Sequence, residues 1–241
     1  MDAPNGGKTV ANKGPSVVIR LPGVIIPLSG PAALIPLVIV LALAVALIAY
    51  VVRSATWSWL WVSGGLWILF IGYWGAAARN AATTKSSESV ASRQLHQLLM
   101  YGALALAFWR APGLGGRWLP RTIYVVAIGL ILQAGSAFLA IWARRHLGRN
   151  WSGQITAKVD HQLIRTGPYR LLRHPIYTGM LGMFLGTAFV SGELHGLLAL
   201  VIIAAAYWRK VRLEERHLSA VFGAEYDDYR KKSWAMIPWL L

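Results

Sequence analysis

The chain has 241 residues, of which 56% are hydrophobic and none is cysteine, and its mean hydropathy is +0.49. This composition excludes an ordinary soluble domain, and the missing cysteines exclude disulfides, thiol nucleophiles and cysteine-bound metals; we expect no metal site. The formal net charge is +15. Because the basic residues lie between long apolar runs, we expect them to mark topology and to contact anionic membrane lipids, with no nucleic-acid partner.

The apolar runs predict an all-α, multi-pass membrane protein with about six transmembrane helices. A mobile N-terminal tail over residues 1–30 precedes them. The predicted spans cover about 32–52, 57–78, 95–109, 122–143, 176–190 and 194–208. The last two form a tight helical hairpin around Ser191-Gly192-Glu193. We therefore expect N-terminal transmembrane helices over 31–147 and a catalytic region over 148–241, which ends in an amphipathic segment and carries a cytoplasmic cofactor pocket.

The distribution of lysine and arginine predicts the orientation. The N-terminal tail, the second and fourth connections and the C-terminal tail hold 20 of these residues, and the opposite side holds 4. Basic residues are enriched in cytoplasmic loops. Both termini and the active site should therefore be cytoplasmic, in the plasma (inner) membrane. The sequence shows no internal repeat of the kind that indicates a transporter.

A polar, basic block at residues 153–180 separates the fourth and fifth spans and is the candidate site. Within it, Arg173-His174-Pro175-Ile176-Tyr177 opens the fifth span. Pro175 suits the first helical position and keeps His174 outside the helix, next to backbone N–H groups that attract anions. The alternative is an interfacial cap, with Arg173 on a lipid phosphate and Tyr177 in the aromatic belt.

Other motifs on either side of Arg173–Tyr177 belong to the same candidate site. Gly167-Pro168-Tyr169 predicts a turn, which either approaches a ligand closely or is only a turn. Gln154 and His161-Gln162-Leu163-Ile164 precede it and are not diagnostic alone. Gly179, Gly182 and Gly186 share one helix surface, and small residues there let helices pack closely. We expect these three glycines to hold the hairpin together and to shape a pocket wall.

Two adjacent acids, Glu214 and Glu215, follow the last span, although the chain has only nine acidic residues. On a helix, Glu214 shares a face with Lys210 and with apolar residues, which predicts that this face packs inward. A carboxylate in such a place requires a partner. That partner is either Lys210 or Arg212, in a salt bridge, or a cationic ligand.

The ordered set of these motifs closely resembles the isoprenylcysteine carboxyl methyltransferase family and its phospholipid methyltransferase relatives. The resemblance covers about 148–238. The matching residues are Gln154, His161–Ile164, Gly167–Tyr169, Arg173–Tyr177 with Gly179, Glu214-Glu215, Phe222-Gly223 with Tyr226 and Tyr229, and Ile237-Pro238.

The resemblance implies an integral membrane enzyme that uses S-adenosyl-L-methionine. It implies that the following residues bind the cofactor: Gln154, His161, Gln162, Leu163, Ile164, Gly167, Tyr169, Arg173, His174, Pro175, Ile176, Tyr177, Glu214 and Glu215. The family usually carries an arginine four residues before the first glutamate, where it engages the substrate carboxylate. This chain has Lys210 there, beside Arg209, and lysine lacks the bidentate fork of arginine. The predicted catalytic residues are Lys210, Arg209 and Glu214.

The predicted function is therefore methyl transfer to a lipophilic acceptor that enters from the bilayer, namely the carboxylate of an isoprenylcysteine-like substrate. Three alternatives remain open: a methyltransferase for phospholipids or other lipophilic amines, an NADPH-dependent sterol-type reductase, and a non-catalytic membrane protein of the same fold. Such reductases share a His-Pro-x-Tyr-x-Gly element, but Glu214-Glu215 favours the methyltransferase. The sequence leaves the methylated atom and the oligomeric state open.

Overall fold

A computed structural model describes residues 18–21, 24–27, 59–78, 88–120, 122–151 and 163–238. The chain divides into two compact units, Met1–Ala55 and Thr56–Leu241. In the first unit, strands β1 (Val18–Leu21) and β2 (Val24–Pro27) pair antiparallel, with Ile19 opposite Ile26. The all-α prediction and the predicted tail over 1–30 did not include this hairpin. The predicted span at 32–52 lies outside the described residues.

The second unit is helical. Its α-helices are α1 (Leu60–Ala78), α2 (Val90–Phe108), α3 (Ile123–Leu147), α4 (Pro175–Ser191), α5 (Leu194–Phe222) and α6 (Ala224–Lys231). Short 3₁₀ helices cover Gly148–Asn150 and Gly167–Arg170. Each of the five predicted spans from residue 57 onward therefore coincides with a helix, and the predicted hairpin is α4 and α5.

Length and composition support fewer transmembrane helices in the described residues than the six predicted for the chain. Within the described residues, three helices are long and apolar enough to cross a membrane, namely Leu60–Ala77, Ile123–Leu147 and Leu194–Phe222. Helix α4 is apolar but shorter. Helix α2 begins with polar and charged residues such as Ser92 and Arg93, which lower its hydropathy. The structure thus supports a helical membrane protein with three candidate spans.

Glycines bring α3 and α4 into close contact. A Cβ placed on Gly186 would lie 2.5 Å from the carbonyl oxygen of Gly129, and one on Gly179 would lie 2.6 Å from that of Ser136. Only glycine leaves room for backbones this close. The expectation that these glycines hold the α4–α5 hairpin together was wrong about the partner, because the glycine face of α4 packs on α3.

A buried polar network crosses the apolar core between α1, α3 and α4. The hydroxyl of Thr187 accepts a hydrogen bond from Trp67 Nε1 at 3.0 Å and lies 3.2 Å from Ser63 Oγ. Gln133 Nε2 donates to the carbonyl of Ser63 at 3.0 Å. Trp67 also packs edge-on against Phe184, with ring centroids 4.9 Å apart. Polar contacts between apolar helices fix their register, because each buried polar group requires a partner.

A charged cluster closes the end of the helical unit at the tip of the α4–α5 hairpin. Glu193, which is buried, accepts a hydrogen bond from Arg110 at 2.8 Å and lies 3.6 Å from Arg117. The backbone N–H of Leu194 donates to the carbonyl of Gly116 at 2.8 Å. These contacts attach the 109–122 connection to the hairpin tip and leave the other end of α4 and α5 to form the site.

Candidate functional site

Helix α5 carries the two adjacent acids to the end of the unit opposite the hairpin tip. An α-helix rises about 1.5 Å per residue, so Glu214 lies about 30 Å along the helix from Leu194, which is about the thickness of a bilayer's hydrocarbon core. Helix α5 continues to Phe222. The apolar part of α5 can therefore cross the membrane while Glu214 reaches the boundary of its hydrocarbon core.

The carboxylate of Glu214 meets the start of α4. Tyr177 Oη donates to its Oε1 at 2.6 Å, and His174 Nδ1 lies 3.5 Å from its Oε2. His174 stands immediately before Pro175, the first residue of α4, as the sequence predicted. The structure thus brings Glu214 to His174 and Tyr177, although 37 residues separate Tyr177 from Glu214 in the chain.

Aromatic rings stack beside this carboxylate. The rings of His174 and Tyr177 are nearly parallel, with centroids 5.6 Å apart, and those of Tyr177 and Tyr207 lie 4.7 Å apart. The ring of His96, from α2, lies 5.5 Å from that of Tyr207. The sequence analysis did not include Tyr207 or His96. Tyr207 lies seven residues before Glu214, which places both on one face of α5, so helical periodicity would have found it.

Glu215 points to a different set of partners. Arg173 Nε donates to Glu215 Oε1 at 2.7 Å, and His174 Nε2 lies 3.4 Å from the same oxygen. Arg173 also donates to the backbone carbonyls of Ser233 and Arg230. The charged atoms of Arg173 and Glu215, both predicted to bind the cofactor, are therefore engaged within the chain. They position His174 and the C-terminal segment.

The C-terminal segment lies along the Arg173-His174 motif. The backbone N–H groups of Arg173 and His174 donate to the carbonyls of Trp234 and Ala235 at 2.8 and 2.9 Å. Thr178 Oγ1 donates to the carbonyl of Met236 at 2.7 Å. These bonds fix the backbone immediately before α4, so the position of the His174 ring depends on residues near the end of the chain.

His174 lies between two carboxylates, one at each ring nitrogen. Burial disfavours the charged imidazolium, but Glu214 and Glu215 outweigh burial and hold the pKa of His174 above its ordinary value. Nδ1 lies 3.5 Å from Glu214 Oε2 and Nε2 lies 3.4 Å from Glu215 Oε1, which are ion-pair distances. His174 therefore lies between the two acids and interacts with both electrostatically.

The predicted turn at Gly167-Pro168-Tyr169 is confirmed as a 3₁₀ turn. The group that its backbone approaches closely is a side chain of the same protein. Gly167 has φ of +58°, and a Cβ there would lie 2.6 Å from the ring of His146. The carbonyl of Tyr169 accepts a bond from Tyr229 Oη at 2.5 Å. Burial, with lesser contributions from Tyr229 and Glu214, raises the pKa of Tyr169. Tyr169 thus anchors the turn near Glu214.

The remaining predicted cofactor residues divide by position. Leu163 and Ile164 are half-buried in an irregular segment before the turn, and Pro175 and Ile176 begin α4. Gln154, His161 and Gln162 lie outside the described residues. Within the part of the chain that the structure describes, no group of three or more His, Cys, Asp or Glu residues is arranged to hold a metal ion.

Lys210 pairs with an acid that the sequence analysis did not include. Its Nζ donates to Glu88 Oε2 at 2.5 Å, and the two side chains are only 4% and 3% exposed. Ser92 Oγ donates to the other oxygen of Glu88 at 2.8 Å, and Arg209 Nη2 donates to Ser92 Oγ at 2.7 Å. Of the alternatives left open for the partner of Glu214, a salt bridge with Lys210 is therefore not the one observed, because Lys210 pairs with Glu88.

Glu88 immediately precedes the residue that caps α2. Ser89 Oγ accepts the backbone N–H of Ser92 at 3.2 Å and so caps the start of that helix. Burial opposes ionisation of Glu88, but the hydrogen bonds from Lys210 and Ser92 outweigh it and lower the pKa of Glu88. Since 122 residues separate Glu88 from Lys210, local sequence gave no signal for this pair.

The charges of the site balance closely. Three carboxylates lie within ion-pair distance of four basic groups, and one of these, an imidazole, is charged only when protonated. The acids are Glu88, Glu214 and Glu215, and the bases are Lys210, Arg173, His174 and Arg230. A ligand that brings a charge must therefore replace or rearrange an existing pair, because unpaired buried charge is costly.

Apolar helices with a compact charged and aromatic cluster at one end are the features of a helical membrane protein, and this cluster is its candidate ligand site. Comparison with known proteins shows which proteins this chain resembles. Residues 124–225 match the family model described as phospholipid methyltransferase. The match begins in α3, extends to the start of α6, and includes Glu214, Tyr177 and His174.

Curated relatives agree with this family match. The protein-S-isoprenylcysteine O-methyltransferase of Saccharomyces cerevisiae is 31% identical over 119 residues, covering 47% of this chain and 48% of that protein. Protein-S-isoprenylcysteine O-methyltransferase B of Arabidopsis thaliana is 26% identical over 177 residues, covering 72% and 86%. The chain thus spans about half the length of the yeast relative that it matches.

Among solved structures, the eukaryotic intramembrane Ras methyltransferase isoprenylcysteine carboxyl methyltransferase matches with a TM-score of 0.44 and 23% identity, covering 63% of this chain and 54% of that one. The family model and the curated relatives confirm the resemblance predicted from the sequence, to isoprenylcysteine carboxyl methyltransferases and to membrane phospholipid methyltransferases.

Proposed function

We propose that this protein is an integral membrane methyltransferase that uses S-adenosyl-L-methionine and methylates the carboxylate of an isoprenylcysteine-like lipophilic acceptor. The observation that carries the proposal is the Glu214 carboxylate, oriented by Tyr177 and His174 at the start of α4. These three residues lie inside the region that matches the phospholipid methyltransferase family. The names of the curated relatives support carboxyl O-methylation.

The residues present fit this cofactor. S-adenosylmethionine carries a sulfonium cation, an amino acid group and an adenine ring. The side chain of Glu214 is 22% exposed, so a cation can approach it. The rings of Tyr177 and Tyr207 stack on each other beside this carboxylate. Glu214 would hold the positive end, and these rings would line the site beside it.

When bound, the cofactor supplies an electrophilic methyl group that is already activated. The chain's own contribution is then positioning and electrostatics. Tyr177 fixes the direction of the Glu214 carboxylate through its 2.6 Å hydrogen bond. His174, between Glu214 and Glu215, helps to hold the Glu214 carboxylate in place. Lys210, four residues before Glu214 on α5, orients an anionic acceptor, and a carboxylate acceptor requires no general base.

The surface of the helices favours an acceptor that arrives through the bilayer. Large apolar side chains are exposed on α1 and α3, among them Ile68, Leu69, Ile131 and Phe138. Exposed apolar side chains on membrane helices contact lipid tails. We propose that the acceptor enters between helices from the lipid, and that both termini and the site are cytoplasmic in the plasma (inner) membrane, as the charge bias predicts.

Ligand titration tests the cofactor class. We expect the purified protein in detergent to bind S-adenosylhomocysteine, measured by calorimetry, and to show no heat with NADPH. Tyr177→Phe should weaken S-adenosylhomocysteine binding, whereas Tyr124→Phe should not, because Tyr124 is exposed at the start of α3. Binding of NADPH alone would indicate a reductase, and binding of neither ligand would indicate a non-catalytic protein.

A further inference from the structure

The acceptor side of the proposed site already contains a carboxylate that belongs to the chain. Lys210 Nζ lies 2.5 Å from Glu88 Oε2, and both side chains are almost completely buried. Lys210 is the residue that the proposed function assigns to the acceptor carboxylate. The group expected to bind the substrate is therefore neutralised by an internal acid of the same chemical type.

Two hydrogen bonds hold the Glu88 carboxylate in position, one from Lys210 and one from Ser92. One carboxylate oxygen accepts from Lys210, and the other accepts from Ser92 Oγ at 2.8 Å. Ser92 in turn accepts from Arg209 at 2.7 Å. The Arg209–Ser92 bond connects α5 to α2 independently of Glu88. The start of α2 can therefore stay attached to α5 when the Lys210–Glu88 pair is broken.

Electrostatics makes the two carboxylates exclusive. A lysine ammonium has three N–H donors, so hydrogen bonding alone would permit a second carboxylate. Two carboxylates close together in a buried place repel each other, and one positive charge compensates only one of them. An anionic acceptor at Lys210 must therefore displace Glu88, or Glu88 must take up a proton.

From this arrangement, and resting on the proposed function, we propose that Glu88 competes with the acceptor carboxylate for Lys210 and so determines the specificity of the acceptor site. With Glu88 in place, the Lys210 ammonium is already paired, and the site discriminates against anions that bind weakly. An acceptor succeeds when burial of its lipid tail outweighs the loss of the Lys210–Glu88 pair. Neutralising Glu88 should make Lys210 available to carboxylates in general.

The test compares Glu88→Gln with a control at an exposed ion pair. Glutamine keeps the size of Glu88 and its hydrogen bond from Ser92 but removes the charge. Glu225→Gln makes the same change in a pair with Arg165, where the side chains are 50% and 44% exposed. The probes are an N-acetyl-S-prenylcysteine and its carboxamide, titrated in the presence of S-adenosylhomocysteine so that no turnover occurs.

We expect Glu88→Gln to bind the acid about tenfold more tightly than the wild type, corresponding to about one charge-assisted hydrogen bond. The carboxamide should bind both proteins equally, and Glu225→Gln should behave as wild type. Unchanged or weakened binding of the acid by a folded Glu88→Gln protein would overturn the proposal. If Glu88→Gln does not fold, Glu88→Asp is the second variant, because it keeps the charge but has a shorter side chain that reaches Lys210 less well. We again expect tighter binding of the prenylcysteine acid and unchanged binding of its carboxamide. Unchanged binding of the acid would overturn the proposal.

The same titrations separate this inference from the proposed function. Failure of the wild type to bind S-adenosylhomocysteine would count against the methyltransferase assignment. Normal binding of S-adenosylhomocysteine, with an acid affinity that does not respond to Glu88, would count against the competition alone.

Discussion

Replacing Glu214 by glutamine removes the negative charge that the proposed cofactor site provides and changes little else. Glutamine retains the volume of the side chain and an oxygen that can accept the Tyr177 hydroxyl, now 2.6 Å from the carboxylate. His174 keeps its contact with Glu215 at 3.4 Å. We therefore expect Glu214→Gln to fold and to lose affinity for the cofactor.

The size of that loss follows from the kind of contact removed. A hydrogen bond to a charged group contributes about 1.5–3 kcal/mol, and about 1.4 kcal/mol corresponds to a tenfold change in affinity. Binding of S-adenosylhomocysteine, whose ammonium is cationic, should weaken about tenfold to 150-fold. The Glu225→Gln variant is the matched control, because Glu225 forms an exposed pair with Arg165.

Isothermal titration calorimetry of both variants in one detergent measures this difference directly. Circular dichroism should show equal helix content in Glu214→Gln, Glu225→Gln and wild type. An affinity of Glu214→Gln within twofold of the wild type would refute the placement of the cofactor's positive end at Glu214, and the site would have to be sought elsewhere.

Three further predictions concern packing, pH and topology. Gly186→Ala should destabilise the protein by about 1–3 kcal/mol, because its Cβ would lie 2.5 Å from the carbonyl of Gly129. The pKa of His174 is raised in the folded protein. Protonated His174 therefore stabilises the fold fully at pH values below its unfolded pKa of about 6.5, and this contribution is lost as the pH rises through the folded pKa. The Tm should fall over that pH range. A cysteine at Gly115, in the connection next to the hairpin tip, should be labelled only from the extracytoplasmic side.

Each of these predictions has its own control. Gly135→Ala should leave the Tm unchanged or raise it, since nothing lies within 4 Å of a Cβ there; equal losses at both positions would contradict the close α3–α4 packing. His174→Gln should remove the fall in Tm with rising pH, and persistence of the fall would assign it to another group. Labelling of the Gly115 cysteine from the cytoplasmic side alone would invert the predicted topology.

The sequence was sufficient to predict the helices and the centre of the site. Hydrophobic runs located five helices of the described region, three of which are long and apolar enough to cross a membrane. The sequence also predicted that His174, Tyr177 and Glu214 lie together. His174 precedes the proline that begins α4, Tyr177 lies in the first turn of that helix, and Glu214 follows the apolar part of α5.

Contacts between distant elements were not predictable in the same way. Glu88 gives no local sign that it meets Lys210, since the pair depends on how α2 packs on α5. The glycines of α4 revealed a close-packing face but not that α3 would cover it. The pairing of Trp234 with the Arg173 motif also depends on the path of the chain after α6.

Transfer of a labelled methyl group tests the central claim most directly. Purified protein would be incubated with S-adenosylmethionine labelled at its methyl group and an N-acetyl-S-prenylcysteine, and the lipid product would be treated with base. The proposed function predicts label in the prenylcysteine that base releases as methanol, with a much lower rate for Glu214→Gln and an unchanged rate for Glu225→Gln. A wild-type protein that binds S-adenosylhomocysteine but transfers no label to this acid, or whose label resists base, would contradict carboxyl methylation.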